Sequence, residues 1–214
     1  MKRIIFSLLL YSYGLLADKV ITPQHQTEIE NPWYTGPLLT PSSVVVPVGH
    51  VNFEPYIYVL ATSGSYNSHG KVVKADLSWS NSFQPVLEFG LTSWMDIQLL
   101  PTVVYNYNKH HAQWLFYDFP ITLDFQVLTP THPDDWTPYI KLILTEIFPT
   151  GQYRNLNPKK LGVDISGTGS FRTVAGFVVG EMFHLWAHHF IIARVALQYD
   201  IPAPVHVKGF NRCV

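Results

Sequence analysis

The sequence lacks the features that mark several common protein classes. No apolar run reaches the roughly 18 residues that a membrane-spanning helix requires. Cys213 is the single cysteine, so a disulfide within the chain is impossible. Charged residues make up only 14%, against about 25% in typical globular proteins, and the formal net charge is −1. We therefore expect no transmembrane helix, no disulfide framework and no nucleic-acid partner.

Apolar residues are nevertheless abundant, at 47% of the 214 residues, and aromatic residues reach 14%. They occur in short segments in which apolar and polar residues alternate. Successive side chains of a β-strand point to opposite faces, so such a segment predicts a strand with one apolar face. In residues 139–147, for example, Leu142 and Leu144 fall on the opposite face from Lys141. Pro149 and Gly151 then end the pattern, because proline cannot donate to the ladder.

Eight segments carry this alternation and are predicted to be strands: residues 50–61, 71–80, 83–91, 95–106, 118–127, 136–147, 171–182 and 188–200. Short connections alternate with longer polar ones, and aromatic residues gather near the predicted strand ends. We therefore predict an all-β fold, an antiparallel up-and-down outer-membrane β-barrel with about eight visible strands, complete or part of a larger barrel. A soluble β-sandwich or lipocalin-like barrel is the alternative, in which the apolar face would form a core.

The chain is predicted to contain three regions. Residues 1–17 resemble a signal peptide, with Lys2 and Arg3 before a short apolar run that ends at Ala17. Residues 18–49 form a proline-rich arm, expected to pack in the barrel lumen or at its periplasmic mouth. Residues 50–214 form the barrel domain. We accordingly expect the mature chain in the cell outer membrane of a Gram-negative bacterium.

Polar residues on the predicted strands are the candidate functional residues, because a charge within the hydrocarbon layer persists only when it is paired or hydrated. The lumen-facing candidates are Glu54, Tyr56, Tyr58, Glu88, Gln98, Asp124, Lys141 and Arg194. His184 and His188 would share a strand face but lie too far apart to bind one metal ion. No Gly-x-Ser-x-Gly nucleophile motif is present. We expect no enzymatic activity, no cofactor and no metal site.

Several short motifs resemble those of a known family. They are Phe148-Pro149-Thr150-Gly151-Gln152-Tyr153, Gly167-Thr168-Gly169-Ser170, and the strand-turn-strand segment from Phe89 to Asp96. Together they resemble the family named for the meta-pathway of phenol degradation, which consists of outer-membrane barrel proteins described as transporters. Two departures are Gln152, where lysine is common, and the end at Val214, where relatives continue into further strands. The second departure leads us to expect that strands are missing.

The resemblance implies passive passage or binding of small molecules, hydrophobic ones included. The expected partners are outer-membrane lipid, the barrel assembly machinery and a small solute such as a hydrophobic one. A non-conducting structural or surface-interaction barrel is one alternative, and a soluble secreted lipid-binding β-protein is another. Eight strands leave an interior that side chains fill. We therefore expect either a plugged barrel or an open, incomplete one.

Overall fold

The computed structural model describes residues 40–131, 136–186 and 189–205, all within the compact unit Pro32–Val214. The predicted signal peptide and most of the predicted arm lie outside these residues. Within the described ranges, no helix is long and apolar enough to cross a membrane.

Nine strands and one short 3₁₀ helix, Pro158–Lys160, make up the regular structure of this part of the chain. The strands are β1 Val51–Tyr66, β2 Val72–Thr92, β3 Met95–Leu99, β4 Val103–Tyr107, β5 Ala112–Phe116, β6 Phe119–Leu128, β7 Tyr139–Phe148, β8 Arg172–Trp186 and β9 His189–Pro202. All their pairings are antiparallel. The predicted all-β class with antiparallel strands is confirmed.

The nine strands build one open sheet. β2 pairs with β1 along one edge and with both β3 and β4 along the other. β4 pairs with β5, while β3 continues the sheet through β6, β7 and β8 to β9. Because β3 and β4 share one position and β5 and β6 share the next, the nine strands occupy seven positions. Among the described residues, no pairing joins β1 to β9, so a closed barrel is not shown.

The predicted strand pattern is wrong in three places, and two predicted strands are too short, since β1 reaches Tyr66 and β8 reaches Trp186. The predicted strands 71–80 and 83–91 form one strand, β2, because the alternation never slips between Trp79 and Phe83. The predicted strand 95–106 is interrupted around Pro101 and becomes β3 and β4. β5 lies between the predicted strands 95–106 and 118–127 and was not predicted. Its residues alternate weakly, since Leu115 is buried on the face opposite the apolar Trp114.

The two faces of the sheet differ in chemistry, as two neighbouring rows across the strands show. The row on the outer face runs Val51, Phe89, Ile97, Leu123, Leu144, Ala175 and Tyr199. The next row, on the inner face, runs Asn52, Glu88, Gln98, Thr122, Thr145, Val174 and Asp200. One row is apolar throughout apart from a tyrosine hydroxyl, and the other is polar at six of its seven positions.

Residues 40–50 include the described part of the predicted arm and are called the arm from here on. They cross the inner face of the sheet. Ser43 lies against Gly180 of β8, and the Val45 amide donates to Gln126 Oε1 on β6 at 3.0 Å. Further along, the Gly49 amide donates to the Gly90 carbonyl of β2 at 3.0 Å. A Cβ at residue 90 or 180 would collide with the arm, so both glycines permit its close approach. The arm thus covers the inner face from β8 to β2 before it enters β1.

Residues 149–171, here called the long loop, cover the other end of the inner face. Asn106 of β4 donates to the Ile165 carbonyl at 3.0 Å. Asp118 accepts hydrogen bonds from the amides of Gly151 and Thr168 at 3.0 and 2.8 Å. Val163 and Ser166 are buried as a result. We call this end of the sheet the loop end, and the opposite end, with the tight connection at residues 93–94, the turn end.

Candidate functional site

The eight lumen-facing candidates all lie on the inner face of the sheet. Alternation along each strand and the observed register together place them there. They do not form one site, however. Five of them line a groove: Glu54, Tyr56, Tyr58, Glu88 and Gln98. Asp124 and Lys141 are buried near the arm. Arg194 of β9 lies beside Gly180 of β8. That the inner face borders a lumen stays a prediction.

A buried ion pair joins two of these candidates. The Lys141 ammonium on β7 contacts Asp124 Oδ2 on β6 at 2.6 Å, and the two side chains are only 2% and 3% exposed. Removing two charges from water costs several kcal/mol each, which their mutual attraction and further hydrogen bonds must offset. The pair therefore depends on both partners being present.

Asp96 is a second buried carboxylate next to this ion pair. It was not among the candidate residues predicted from the sequence. It lies on β3 directly opposite Asp124. Two like charges facing each other across strands are destabilising, so each carboxylate requires its own compensation. Asp124 has the ammonium of Lys141, whereas Asp96 Oδ2 accepts a hydrogen bond from the arm amide of Val46 at 2.7 Å.

The three buried ionisable groups carry a formal charge of −1 together, and the arm contributes a backbone donor to them. Asp96 Oδ1 and Asp124 Oδ1 are buried without a hydrogen-bond partner among the described residues. The alternation of Asp96 with its neighbours could have indicated an inward side chain. Its position opposite Asp124 depends on the register between β3 and β6, which the sequence does not reveal.

A hydrogen-bonded network connects the groove residues across β1, β2 and β3. Asn52 Nδ2 donates to Glu54 Oε1 at 3.0 Å and to Glu88 Oε2 at 2.8 Å. Gln98 donates to the other oxygen of Glu88. The Tyr56 hydroxyl donates to Glu54 Oε2 at 2.5 Å. Both carboxylates are therefore held by neutral donors of the sheet.

The groove lies between the arm and the inner faces of β1 to β3, with a volume of ≈ 550 Å³. Val45 and Val46 of the arm form one wall. The rings of Tyr56 and Tyr58 stack at 6.0 Å on the other. The groove thus offers carboxylate oxygens, amides and aromatic faces to a solute, a mixture typical of small-molecule sites.

Metal sites and activated nucleophiles are two kinds of side-chain group on which enzyme chemistry often depends. The described residues contain no group of three or more His, Cys, Asp or Glu residues that could hold a metal ion. Ser68 Oγ lies 3.3 Å from His69 Nδ1, but both residues are exposed in the β1–β2 turn. His188 lies outside the described residues. The absence of enzymatic activity stays a prediction.

Comparisons of the chain with protein-family models, with curated proteins and with solved structures gave no match. The resemblance to the phenol meta-pathway family therefore stays a prediction that depends on the quoted motifs alone.

Loss of Lys141 should destabilise the protein strongly. Lys141→Met leaves Asp124 buried without its cation, and breaking a buried pair costs about 3–5 kcal/mol of unfolding free energy. Urea titration of the purified protein, followed by tryptophan fluorescence, measures this loss.

Two further variants identify the cause. Lys141→Met combined with Asp124→Asn should recover most of the loss, because no uncompensated charge remains at residue 124. The matched control is Lys74→Met, an exposed lysine on β2, which should change stability by no more than about 0.5 kcal/mol. Equal losses for Lys141→Met and Lys74→Met would contradict the proposed role of the pair.

Proposed function

We propose that this chain forms part of an outer-membrane β-barrel that binds or passes small molecules along its inner face. The observation that carries the proposal is the pair of neighbouring rows, apolar outside and polar inside, that run across all seven strand positions. A membrane barrel requires this arrangement, because lipid contacts one face and the lumen contacts the other.

The outer face is exposed over most of its length. Phe53, Ile57, Leu142, Val195 and Leu197 are each about half exposed or more. Soluble monomers rarely expose contiguous apolar patches beyond a few hundred Å². No described segment covers this face, whereas the arm and the long loop both pack on the polar side. Contact with lipid would explain why the apolar outer face is exposed while the polar inner face is covered.

The stagger of the strands also supports a barrel. The outer row begins at Val51, the first residue of β1, and reaches Tyr199 near the far end of β9. Neighbouring strands are therefore displaced progressively along their length. Closure of a sheet into a barrel requires such a displacement, which tilts the strands relative to the barrel axis.

Aromatic side chains are grouped at both ends of the outer face. At the loop end, Tyr105 and Trp114 lie 4.8 Å apart, and Trp79 stacks on Tyr107 at 6.2 Å. At the turn end, Trp94 stacks on Phe125 at 6.1 Å. Aromatic girdles at the two lipid–water interfaces are typical of outer-membrane barrels. These clusters thus support insertion with the strands across the bilayer.

Within this proposal, the groove is the site for a small solute. Its acceptors, Glu54 and Glu88, and its stacked tyrosines favour a molecule that combines an aromatic or aliphatic body with hydrogen-bond donors. A purely hydrophobic solute, one of those that the family resemblance allows, would leave these polar groups unused. Outer-membrane lipid and the barrel assembly machinery remain the proposed partners of the protein as a whole.

A non-conducting surface barrel is the second candidate, favoured by the coverage of the inner face by the arm and the long loop. The hairpin of β1 and β2 also extends beyond Tyr107, where β4 ends, so it projects past its neighbours. The purified protein in a planar bilayer distinguishes the candidates. Discrete conductance steps are expected for solute passage, and their absence would support the surface barrel.

A charge placed on the outer face tests the membrane proposal. Leu142→Arg should cost about 2–4 kcal/mol of folding free energy in lipid vesicles, because arginine on the lipid face must enter the hydrocarbon layer. Equilibrium unfolding in vesicles, with urea as denaturant, provides the measurement.

Gln84→Arg places the same charge within the polar groove, which Glu54 also lines, so it serves as the matched control and should be tolerated. If Leu142→Arg is as well tolerated as this control and the protein fractionates with soluble periplasmic or secreted proteins, the outer-membrane assignment is wrong. A soluble lipid-binding β-protein would then be the better interpretation, because exposed substitutions in water change stability little.

A further inference from the structure

Two carboxylates lie close together in the groove. The amide nitrogen of Asn52 donates to Glu54 Oε1 at 3.0 Å and to Glu88 Oε2 at 2.8 Å. Because one nitrogen serves both carboxylates, their oxygens lie within two hydrogen-bond lengths of each other. The other side chains that donate to them, from Tyr56 and Gln98, are neutral as well. Two ionised carboxylates this close repel each other, and a nearby positive charge relieves the repulsion.

The charge of this carboxylate pair is not balanced by the described residues that line the groove. Elsewhere on the inner face, Asp124 is paired with Lys141. Asp200 is paired with Arg172 in the same way. The described lining of the groove, by contrast, includes neither lysine nor arginine. Its one basic side chain, His50, is exposed and lies against a carbonyl of the arm. With this histidine neutral, the lining carries a formal charge of −2.

The remaining walls of the groove suit an organic cation better than a metal ion. The stacked rings of Tyr56 and Tyr58 line it, and an ammonium group is attracted to the face of a tyrosine ring. Val45 and Val46 of the arm provide an apolar wall. The volume of ≈ 550 Å³ is that of a small-molecule pocket. A metal ion requires a close shell of ligands instead, and the described residues contain no group of three or more His, Cys, Asp or Glu residues that could hold one.

We infer that the groove selects organic cations, with the positive nitrogen at Glu54 and Glu88 and the carbon groups against the two tyrosines and the arm. This inference rests on the proposed role of the groove as the site of a small solute, and it adds the charge of that solute. The two carboxylates repel an anion, and a neutral solute leaves their mutual repulsion in place.

Binding of choline and of its neutral carbon analogue to the purified full chain tests the inference. In the analogue, a carbon atom replaces the charged nitrogen, so the two probes have nearly the same shape. Saturation-transfer NMR titrations measure both dissociation constants. Choline should bind about tenfold more tightly, because it alone carries the charge that the carboxylates and the tyrosine rings attract. Equal affinities, or tighter binding of the analogue, would overturn the inference and leave the groove as a site for neutral solutes.

Three variants locate the binding. Glu54→Gln combined with Glu88→Gln keeps side chains of the same shape but removes the charge, and should abolish the preference for choline. Gln84→Arg places a guanidinium in the groove, opposite Tyr56 in the strand register, and should weaken choline binding about tenfold with a smaller effect on the analogue. The control Asp76→Asn removes an exposed carboxylate of β2 outside the groove and should leave both affinities unchanged.

The remaining outcomes separate this inference from the proposed function. A preference for choline that persists in the doubly substituted protein and in Gln84→Arg would show that the cation binds elsewhere, which overturns the inference alone. An equal loss of choline binding in Asp76→Asn would attribute the preference to net charge and have the same consequence. Binding of neither probe to the unsubstituted chain would contradict both the inference and the groove as a solute site. Affinity of the variants for the carbon analogue shows whether each of them retains the groove.

Discussion

Strict two-residue alternation is the constraint on which the rest of this structure depends. Along β2, the longest strand, the apolar parity holds from Trp79 through Phe83 to Leu91 without a slip. A slip of one residue would exchange the two faces and bring Glu88 to the outer side. Because the parity and the register agree across the sheet, the apolar rows coincide on one face and the polar rows on the other.

Two segments outside the sheet complete the polar face. The arm supplies main-chain donors to Asp96 and Gln126, and the long loop supplies amides to Asp118. Backbone amides thus satisfy carboxylates and an amide oxygen that the strands alone leave without partners. Burial of Asp124 with Lys141 adds an ion pair whose two members are mutually dependent. The same coverage that stabilises the inner face also limits the space left for a solute.

Alternation in the sequence was sufficient to predict the all-β class and the sheet face of each candidate residue, because side-chain direction in a strand depends only on parity. Glu54, Asp124 and Arg194 lie on the inner face for this reason. The same reasoning could not predict which residues of different strands contact each other. Asp96 lies opposite Asp124 because of the register between their strands. The arm can cross the inner face because Gly90 and Gly180 leave room for it, and these glycines lie on two strands that are distant in sequence. Pro101 could have indicated the break between β3 and β4, since proline removes a ladder donor.

Spin-label accessibility along β7 tests the central claim most directly, namely that lipid contacts one face of the sheet and water or protein the other. Single labels at successive residues from Ile140 to Thr145, in the protein folded in lipid vesicles, are exposed to oxygen and to a water-soluble nickel chelate. The account predicts that oxygen relaxes the labels at residues 140, 142 and 144 most strongly, with low accessibility at 141, 143 and 145. High accessibility of residues 142 and 144 to the nickel chelate would contradict it.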